Sequence, residues 1–207
     1  MQKIDLETWD RKEHYLLFQR ADFAQYNIGA DLDISTFKTR IKNQGLSFTW
    51  SMAYAASAAM NKIENFRYRL MNDELALYDK VHPALAYSAP DLKYFKMIMV
   101  EFKGGLRDFV LEAQKKARNQ KAYFPPELNG RADLVFMSSI PKISFTHLSH
   151  TISLNKNDAA PRLTWGKYYL RDSKLRLPFN VQAHHAFVDG DHMGAYFETL
   201  QQYLDNY

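Results

Sequence analysis

Two adjacent histidines, followed closely by an aspartate and a glycine, are the part of this sequence best suited to carry out chemistry. Residues 184–190 read HHAFVDG and follow an apolar stretch that is typical of a strand. Neutral imidazole is the side chain best able to take a proton from a hydroxyl at pH 7. On residue types alone, the run predicts a general base at a strand end, a metal site built from His184, His185 and Asp189, or purely structural histidines.

Strands and helices must together position this run. Alternating apolar and polar residues predict strands over residues 26–34, 66–70, 74–78, 84–88, 94–102, 134–139, 143–152, 162–170 and 175–183. Helices are predicted from an N-cap at Thr8 to about residue 20, and over residues 36–43, 47–61, 106–119 and 192–205. This mixture predicts an α/β two-layer sandwich in which a mixed β-sheet packs against helices.

The composition limits both the chemistry and the partners of the chain. Its 207 residues are 46% hydrophobic and 24% charged, which predicts a single domain over residues 1–207. The sequence contains no cysteine, which excludes disulfides, thiolate metal ligands and cysteine nucleophiles. The net charge of +4 is small and interspersed, so we expect no nucleic-acid partner. No stretch is apolar enough to span a membrane and the first residues are charged, so we expect a cytoplasmic protein.

Several motifs in the chain resemble those of one enzyme family. HHAFVDG at residues 184–190 resembles the HHxxxDG signature of the chloramphenicol acetyltransferase-like acyltransferases. Further family motifs are matched in the same order by WDRKEHY at residues 9–15, DKVHP at 79–83, SSIP at 138–141, TWGKY at 164–168 and LQQY at 200–203. The resemblance therefore covers nearly the whole chain, and it implies the coenzyme A-dependent acyltransferase fold.

The resemblance implies direct transfer of an acetyl group from acetyl-CoA to an acceptor hydroxyl, without a covalent enzyme intermediate. The second histidine of the signature is the family's general base, which corresponds to His185 here. The signature aspartate, Asp189, is implied to form an ion pair with Arg11. Ser138 is implied to stabilise the oxyanion, and Thr164 is implied to help bind the tetrahedral intermediate through water.

The resemblance also implies the co-substrate, the acceptor and the assembly. Acetyl-CoA is the co-substrate, with no permanently bound cofactor and no metal, and Lys167 and Tyr168 match residues near its adenosine end. Chloramphenicol is the leading acceptor because it defines the family. A homotrimer with its active sites between subunits is implied, because in this family the base reaches into a cleft whose other wall belongs to the neighbouring subunit.

The acceptor pocket departs from the family pattern and leaves two alternatives open. Lys142 occupies a position where the family usually has Trp, and His147, Ser149 and His150 lie in a stretch that is mostly apolar in the resistance enzymes. One alternative is therefore an acetyltransferase for another small hydroxylated acceptor. The other is an idle binding protein on the same scaffold, in which His185 only supports a turn.

Overall fold

A mixed β-sheet carries the HHAFVDG run at the end of its longest strand. The computed structural model describes residues 1–71, 74–151 and 157–207. The strands are β1 (Gln2–Lys3), β2 (Gln25–Asp33), β3 (Tyr68–Met71), β4 (Glu74–Leu77), β5 (His82–Tyr87), β6 (Lys96–Met99), β7 (Leu134–Ser139), β8 (Arg162–Trp165), β9 (Tyr169–Arg171) and β10 (Lys174–His184). The helices are α1 (Lys12–Gln19), α2 (Ser35–Asn43), α3 (Phe48–Asn61), α4 (Leu106–Asn119) and α5 (Gly190–Asn206), and short 3-10 turns cover Glu64–Arg67 and Pro126–Leu128.

The strands of the described residues form one large and one small sheet. The large sheet has the order β2-β10-β8-β7-β5-β6, with β9 paired to β10, and the small sheet has the order β1-β4-β3. Strands β5, β7 and β8 run parallel to one another, whereas β10 is antiparallel to both β2 and β8. The predicted mixed sheet with flanking helices is confirmed.

The two faces of the large sheet have different characters. Apolar residues of β7, β8 and β10, such as Met137, Leu163 and Val181, join the core with the buried sides of α2 to α5. Because side chains alternate along a strand, the intervening residues point to the opposite face. Ser138 pairs with Thr164, and Thr164 pairs with Asn180, so this face is polar near its centre.

Several predicted elements agree closely with the structure. Helix α4 has the predicted bounds, and α3 begins one residue later than predicted. Strand β7 also has the predicted bounds. Strands β3 and β4 form the predicted antiparallel hairpin, although its turn residues 72–73 lie outside the described residues.

Other predictions were wrong in instructive ways. Residues 143–151 form no strand, and residue 152 lies outside the described residues. The hydrogen bonds of this segment do not follow a strand ladder; for example, Lys167 N donates to Ile143 O at 2.7 Å. The strand predicted over residues 162–170 breaks after Trp165, because Gly166 passes so close to Ile143 O that a Cβ would lie 2.6 Å from it. The N-cap of α1 is Arg11, not Thr8.

The remaining elements shifted at their ends. The strand predicted over residues 94–102 is shortened to β6, and the last helix begins at Gly190, two residues earlier than predicted, because Asp189 caps it. Among the described residues, no helix is both long and apolar enough to cross a membrane.

Candidate active site

His185 lies just beyond the end of β10, on the turn that leads into α5. Its backbone N–H donates to Ala24 O at 2.8 Å, which ties the turn to the residue preceding β2. The imidazole stacks on Phe18, with ring centroids 4.1 Å apart and planes 11° apart, and on Tyr26, with centroids 4.4 Å apart. Nδ1 is buried and has no hydrogen-bond partner among the described residues. Aromatic stacking therefore holds the orientation of the ring.

An ion pair between the two ends of the chain holds this turn in place. Arg11 Nη1 lies 3.0 Å from Asp189 Oδ2, and the two side chains are 15% and 33% exposed. Burial alone would raise the pKa of the Asp189 carboxyl, but the hydrogen bonds from Arg11 and from the backbone of His192 bring that pKa below its ordinary value. Asp189 is therefore a carboxylate at neutral pH, and the predicted pair with Arg11 is present.

Asp189 also caps helix α5, so the same carboxylate both pairs with Arg11 and binds the first backbone N–H groups of the helix. Its Oδ1 accepts hydrogen bonds from the backbone N–H groups of Asp191 at 3.2 Å and His192 at 3.3 Å. His192 Nδ1 lies 2.6 Å from the same oxygen. Carboxylates are favoured at this position because the first N–H groups of a helix have no partner within the helix.

Aromatic side chains also pack against the turn. The ring of Phe187, which is buried, lies about 6 Å from the rings of Trp9, Tyr15 and Tyr68. Asn65 Nδ2 donates to Phe187 O at 2.8 Å. The N-terminal motif therefore contributes both Arg11 and the aromatic surface on which the His185 turn rests.

Ser138 and Thr164 form a second group on the polar face of the sheet. They lie directly opposite each other on the parallel strands β7 and β8, and their hydroxyl oxygens are 2.7 Å apart. Thr164 is fully buried. The structure therefore brings together the two hydroxyls that the resemblance links to the tetrahedral intermediate, that of Ser138 directly and that of Thr164 through water.

His150 joins this second group from the irregular segment that covers the sheet face. Its Nε2 lies 3.4 Å from Thr164 Oγ1. Burial, with a smaller contribution from the charge of Arg162, lowers the pKa of His150 to about 4. The imidazole is therefore neutral at pH 7 and carries one ring hydrogen.

A buried polar network holds His150 against the sheet. Its backbone N–H donates to Gln182 Oε1 at 3.3 Å, and Gln182 Nε2 donates to Gln25 Oε1 at 2.6 Å. Gln25 Nε2 donates to Asp158 O at 2.6 Å, and the Asp158 carboxylate pairs with Arg162 at 2.6 Å. Both glutamine amides hydrogen-bond within this network, so the segment has a defined position.

A cavity of about 330 Å³ opens beside Ser138 and His150. It is lined by Ala86, Phe95, Met97, Phe136, Met137, Ser138, His150, Thr151 and Arg162. A mostly apolar wall with a few polar groups is typical of a site for a small organic molecule.

The two groups lie far apart within one chain. Thr164 pairs with Asn180, and β10 continues for four more residues to His184, next to His185. With about 3.3 Å per residue and about 4.8 Å between strands, His184 is displaced from Ser138 by roughly 13 Å along the strands and roughly 10 Å across them. One copy of the chain therefore does not bring His185 to Ser138.

Lys167 and Tyr168 lie in the loop that follows β8. Ser144 Oγ donates to Lys167 O at 2.8 Å, which ties this loop to the segment after β7. The Tyr168 ring is 38% exposed, and Lys38 Nζ lies 4.6 Å from its centroid. The loop is thus accessible to a ligand near the end of β8, although Lys38 already covers one face of the tyrosine ring.

The metal site considered from the sequence does not form. No cluster of three or more His, Cys, Asp or Glu side chains suited to a metal ion occurs in the described parts of the chain. Instead, Asp189 bonds to Arg11 and His192, while the ring of His184 packs 5.1 Å from that of Phe187.

Sequence analysis did not assign Tyr26, Gln25 or Gln182 to the site. Each meets its partner only because β2 and β10 pair in an antiparallel register that places His184 opposite Gln25. A glutamine within the apolar end of a long strand, as at Gln182, is the one local signal that could have indicated a buried polar network. No local signal indicates that Tyr26 stacks on His185.

Comparisons with known proteins show which family the chain is similar to. The family model described as chloramphenicol acetyltransferase matches residues 1–201. The chain is 31% identical to a chloramphenicol acetyltransferase of Klebsiella sp over 207 residues, covering 99% of this chain and 94% of that protein. It is also 31% identical to chloramphenicol acetyltransferase 2 of Escherichia coli over 212 residues, covering 99% of this chain and 97% of that protein.

Solved structures extend the likeness to the fold. One described as a chloramphenicol acetyltransferase has a TM-score of 0.91 and 26% identity, covering 98% of this chain and 99% of that one. The cubic core of the pyruvate dehydrogenase multienzyme complex has a TM-score of 0.68 at 15% identity, covering 100% and 92% of the two chains. The second likeness concerns the fold alone.

Proposed function

The chain belongs to the chloramphenicol acetyltransferase family of acyltransferases, and we propose that it transfers an acetyl group from acetyl-CoA directly to a hydroxyl of chloramphenicol. The observation that carries this proposal is the position of His185: the histidine that matches the family's base in the HHxxxDG signature lies on a turn that stacking, a helix cap and the Arg11–Asp189 pair hold in place. We also propose that residues 1–207 act as one domain, since this turn needs both ends of the chain.

In the proposed reaction His185 is the general base. Its neutral imidazole removes the proton of the acceptor hydroxyl as the oxygen attacks the thioester carbonyl carbon. The new carbon–oxygen bond gives a tetrahedral intermediate with a negative charge on the former carbonyl oxygen. When the intermediate collapses, the carbon–sulfur bond breaks, the imidazolium returns its proton to the thiolate, and the products are an acetyl ester and coenzyme A.

Ser138 and Thr164 are proposed to stabilise the tetrahedral intermediate. A hydroxyl that donates to the developing oxyanion acts strongly in a site from which water is excluded. The Ser138 hydroxyl borders the 330 Å³ cavity, which we propose as the acceptor pocket, and Thr164 lies behind it. Lys167 and Tyr168 are proposed to bind the adenosine end of coenzyme A through a phosphate contact and ring stacking.

The proposed chemistry requires a second copy of the chain. A general base must come within about 3 Å of the proton that it removes, and the oxyanion donor must be just as close to the carbonyl oxygen. The separation of His185 from Ser138 within one chain prevents this. Because the family resemblance implies a trimer, we propose a homotrimer in which His185 of one subunit faces Ser138 of its neighbour.

The test is release of free thiol from acetyl-CoA by purified protein, with and without chloramphenicol. Because the chain contains no cysteine, a thiol reagent reports only coenzyme A. We expect release that depends on both chloramphenicol and His185. Release only with another hydroxylated acceptor would move the function to that compound, and no release with any acceptor would favour an idle scaffold.

A further inference from the structure

The hydroxyl of Thr164 has two polar neighbours but only one hydrogen. Within the described residues these neighbours are Ser138 Oγ at 2.7 Å and His150 Nε2 at 3.4 Å. Since a hydroxyl can donate only one hydrogen bond, Thr164 donates to one of the two neighbours. The tautomer of His150 determines which neighbour that is.

The two tautomers of His150 have opposite consequences for Ser138. If Nε2 carries the hydrogen, it donates to Thr164, Thr164 donates to Ser138, and the Ser138 hydrogen is left for the substrate carbonyl oxygen. If Nε2 is bare, it accepts from Thr164, and Thr164 in turn accepts from Ser138. The Ser138 hydrogen then points into the sheet and is lost to the oxyanion.

We propose that His150 is a positioning residue for acetyl transfer, whose Nε2–H directs the Thr164 hydroxyl toward Ser138 and thereby leaves the Ser138 hydrogen for the oxyanion. This inference rests on the proposed function, in which Ser138 stabilises the oxyanion. His150 acts through two hydroxyls and needs no contact with either substrate.

The surroundings of His150 suit this role. Its low pKa keeps the ring neutral, so that a single hydrogen is shared between the two nitrogens and the tautomer has a defined effect. The backbone of His150 is held by Gln182, and Gln182 by Gln25, while the His150 side chain lines the proposed acceptor pocket beside Ser138. Hydrogen bonds in such buried chains reinforce one another.

The kinetic test combines His150 variants with Ser138→Ala. We expect His150→Leu to lower kcat roughly 5- to 10-fold, because Ser138 then points its hydrogen correctly only part of the time, while the KM for the acceptor changes little. His150→Gln retains most of the activity, since its amide N–H can donate to Thr164. His147→Leu is the matched control and should have little effect, because His147 is exposed and, unlike His150, does not line the 330 Å³ cavity.

The double variant separates positioning from a direct or structural role. In a Ser138→Ala background, His150→Leu should change kcat by less than about 2-fold, because no hydroxyl remains to be oriented. Losses that multiply in the double variant would overturn the inference. A rise in the acceptor KM at constant kcat would also overturn it, because that result would indicate a binding contact.

A spectroscopic test reads the tautomer without relying on turnover. In protein labelled with ¹⁵N-histidine, the ring signals of His150 can be assigned by their loss in His150→Gln. We expect hydrogen on Nε2 at pH 7. Hydrogen on Nδ1 in an active enzyme overturns this inference alone, whereas absence of turnover with every acceptor overturns the proposed function and this inference together.

Discussion

The two halves of the proposed site are built by different means. The His185 turn is held by stacked rings, a helix cap and the pair between Arg11 and Asp189, which are 178 residues apart. The Ser138–Thr164 pair is held by strand register and by neutral hydrogen bonds on the sheet face. The His185 half therefore depends on an ion pair between distant parts of the sequence, whereas the Ser138 half depends on the register of the sheet.

The difference also explains why the halves belong to different subunits in the proposed assembly. Each half is complete as a local structure, yet the sheet geometry separates them by far more than a reaction allows. In the proposed assembly, a second copy of the chain supplies the missing half. Variants of each half test whether the halves are separate in function as well as in structure.

The largest effect is expected from removing the base. His185→Ala should lower kcat at least ~10²-fold with little change in the KM for acetyl-CoA, because a positioned base is lost while the co-substrate site remains. His14→Ala, a change of an exposed histidine on α1, is the control and should keep full activity. A His185→Ala enzyme that turns over normally would remove this residue from the mechanism.

The second prediction asks whether the halves act in trans. Ser138→Ala should also lower kcat about 10²-fold, so that neither single variant is appreciably active. Mixed trimers made by co-expressing His185→Ala with Ser138→Ala should recover about a quarter of the wild-type activity, because a quarter of the interfaces then pair an intact His185 with an intact Ser138. Mixed oligomers without recovered activity would place both residues in one chain's own site.

The Arg11–Asp189 pair of the His185 half was predictable from sequence, whereas the stacking of Tyr26 on His185 and the surroundings of the Ser138 half were not. The family predicted from the motifs is confirmed, and the pair of Arg11 with Asp189 is present as expected. Both inferences depended on the family resemblance that the local motifs carry. Helix α4 was also predictable, because its buried side chains repeat at helical spacing along one face.

The contacts of His150 depend on tertiary structure that no local pattern encodes. Residues 143–151 alternate in a way that favours a strand, yet the backbone of His150 bonds to the side chain of Gln182 rather than to a neighbouring strand. The break after β8 depends on the close approach of Gly166 to Ile143. Both features arise where a segment packs across the face of the sheet, and strand propensity carries no information about such tertiary contacts.

The third prediction concerns the stability of the His185 half. Asp189→Asn should lower the free energy of unfolding by about 1–2 kcal/mol, less than for a fully buried pair because Asp189 is a third exposed. Arg11→Met should lower the free energy of unfolding by a smaller amount, because the Asp189 carboxylate keeps its helix-cap hydrogen bonds. Asp189→Asn, by contrast, leaves the mostly buried Arg11 guanidinium without its counter-charge. Denaturant unfolding of both variants measures the difference.

A double-variant cycle completes this prediction. The double variant Arg11→Met/Asp189→Asn should lose less unfolding free energy than the two single variants lose together, because the second change removes a charge that the first left unpaired. If the losses of unfolding free energy of the two single variants simply add, Arg11 and Asp189 are not energetically coupled. The His185 turn would then rest on its aromatic contacts, the helix cap and the backbone hydrogen bond to Ala24.

The smallest expected effect is a dependence on pH that only the His185 half shows. Since folding lowers the pKa of Asp189 below its ordinary value of 3.8, the pair's contribution is fully present above that value and is lost as the pH falls through the lower, folded-state pKa. The stability difference between wild type and Asp189→Asn should therefore shrink below about pH 4. The difference between wild type and Ser138→Ala should stay constant over the same range, because a hydroxyl does not titrate there. Equal pH dependence of the two differences would show that the halves are coupled in stability.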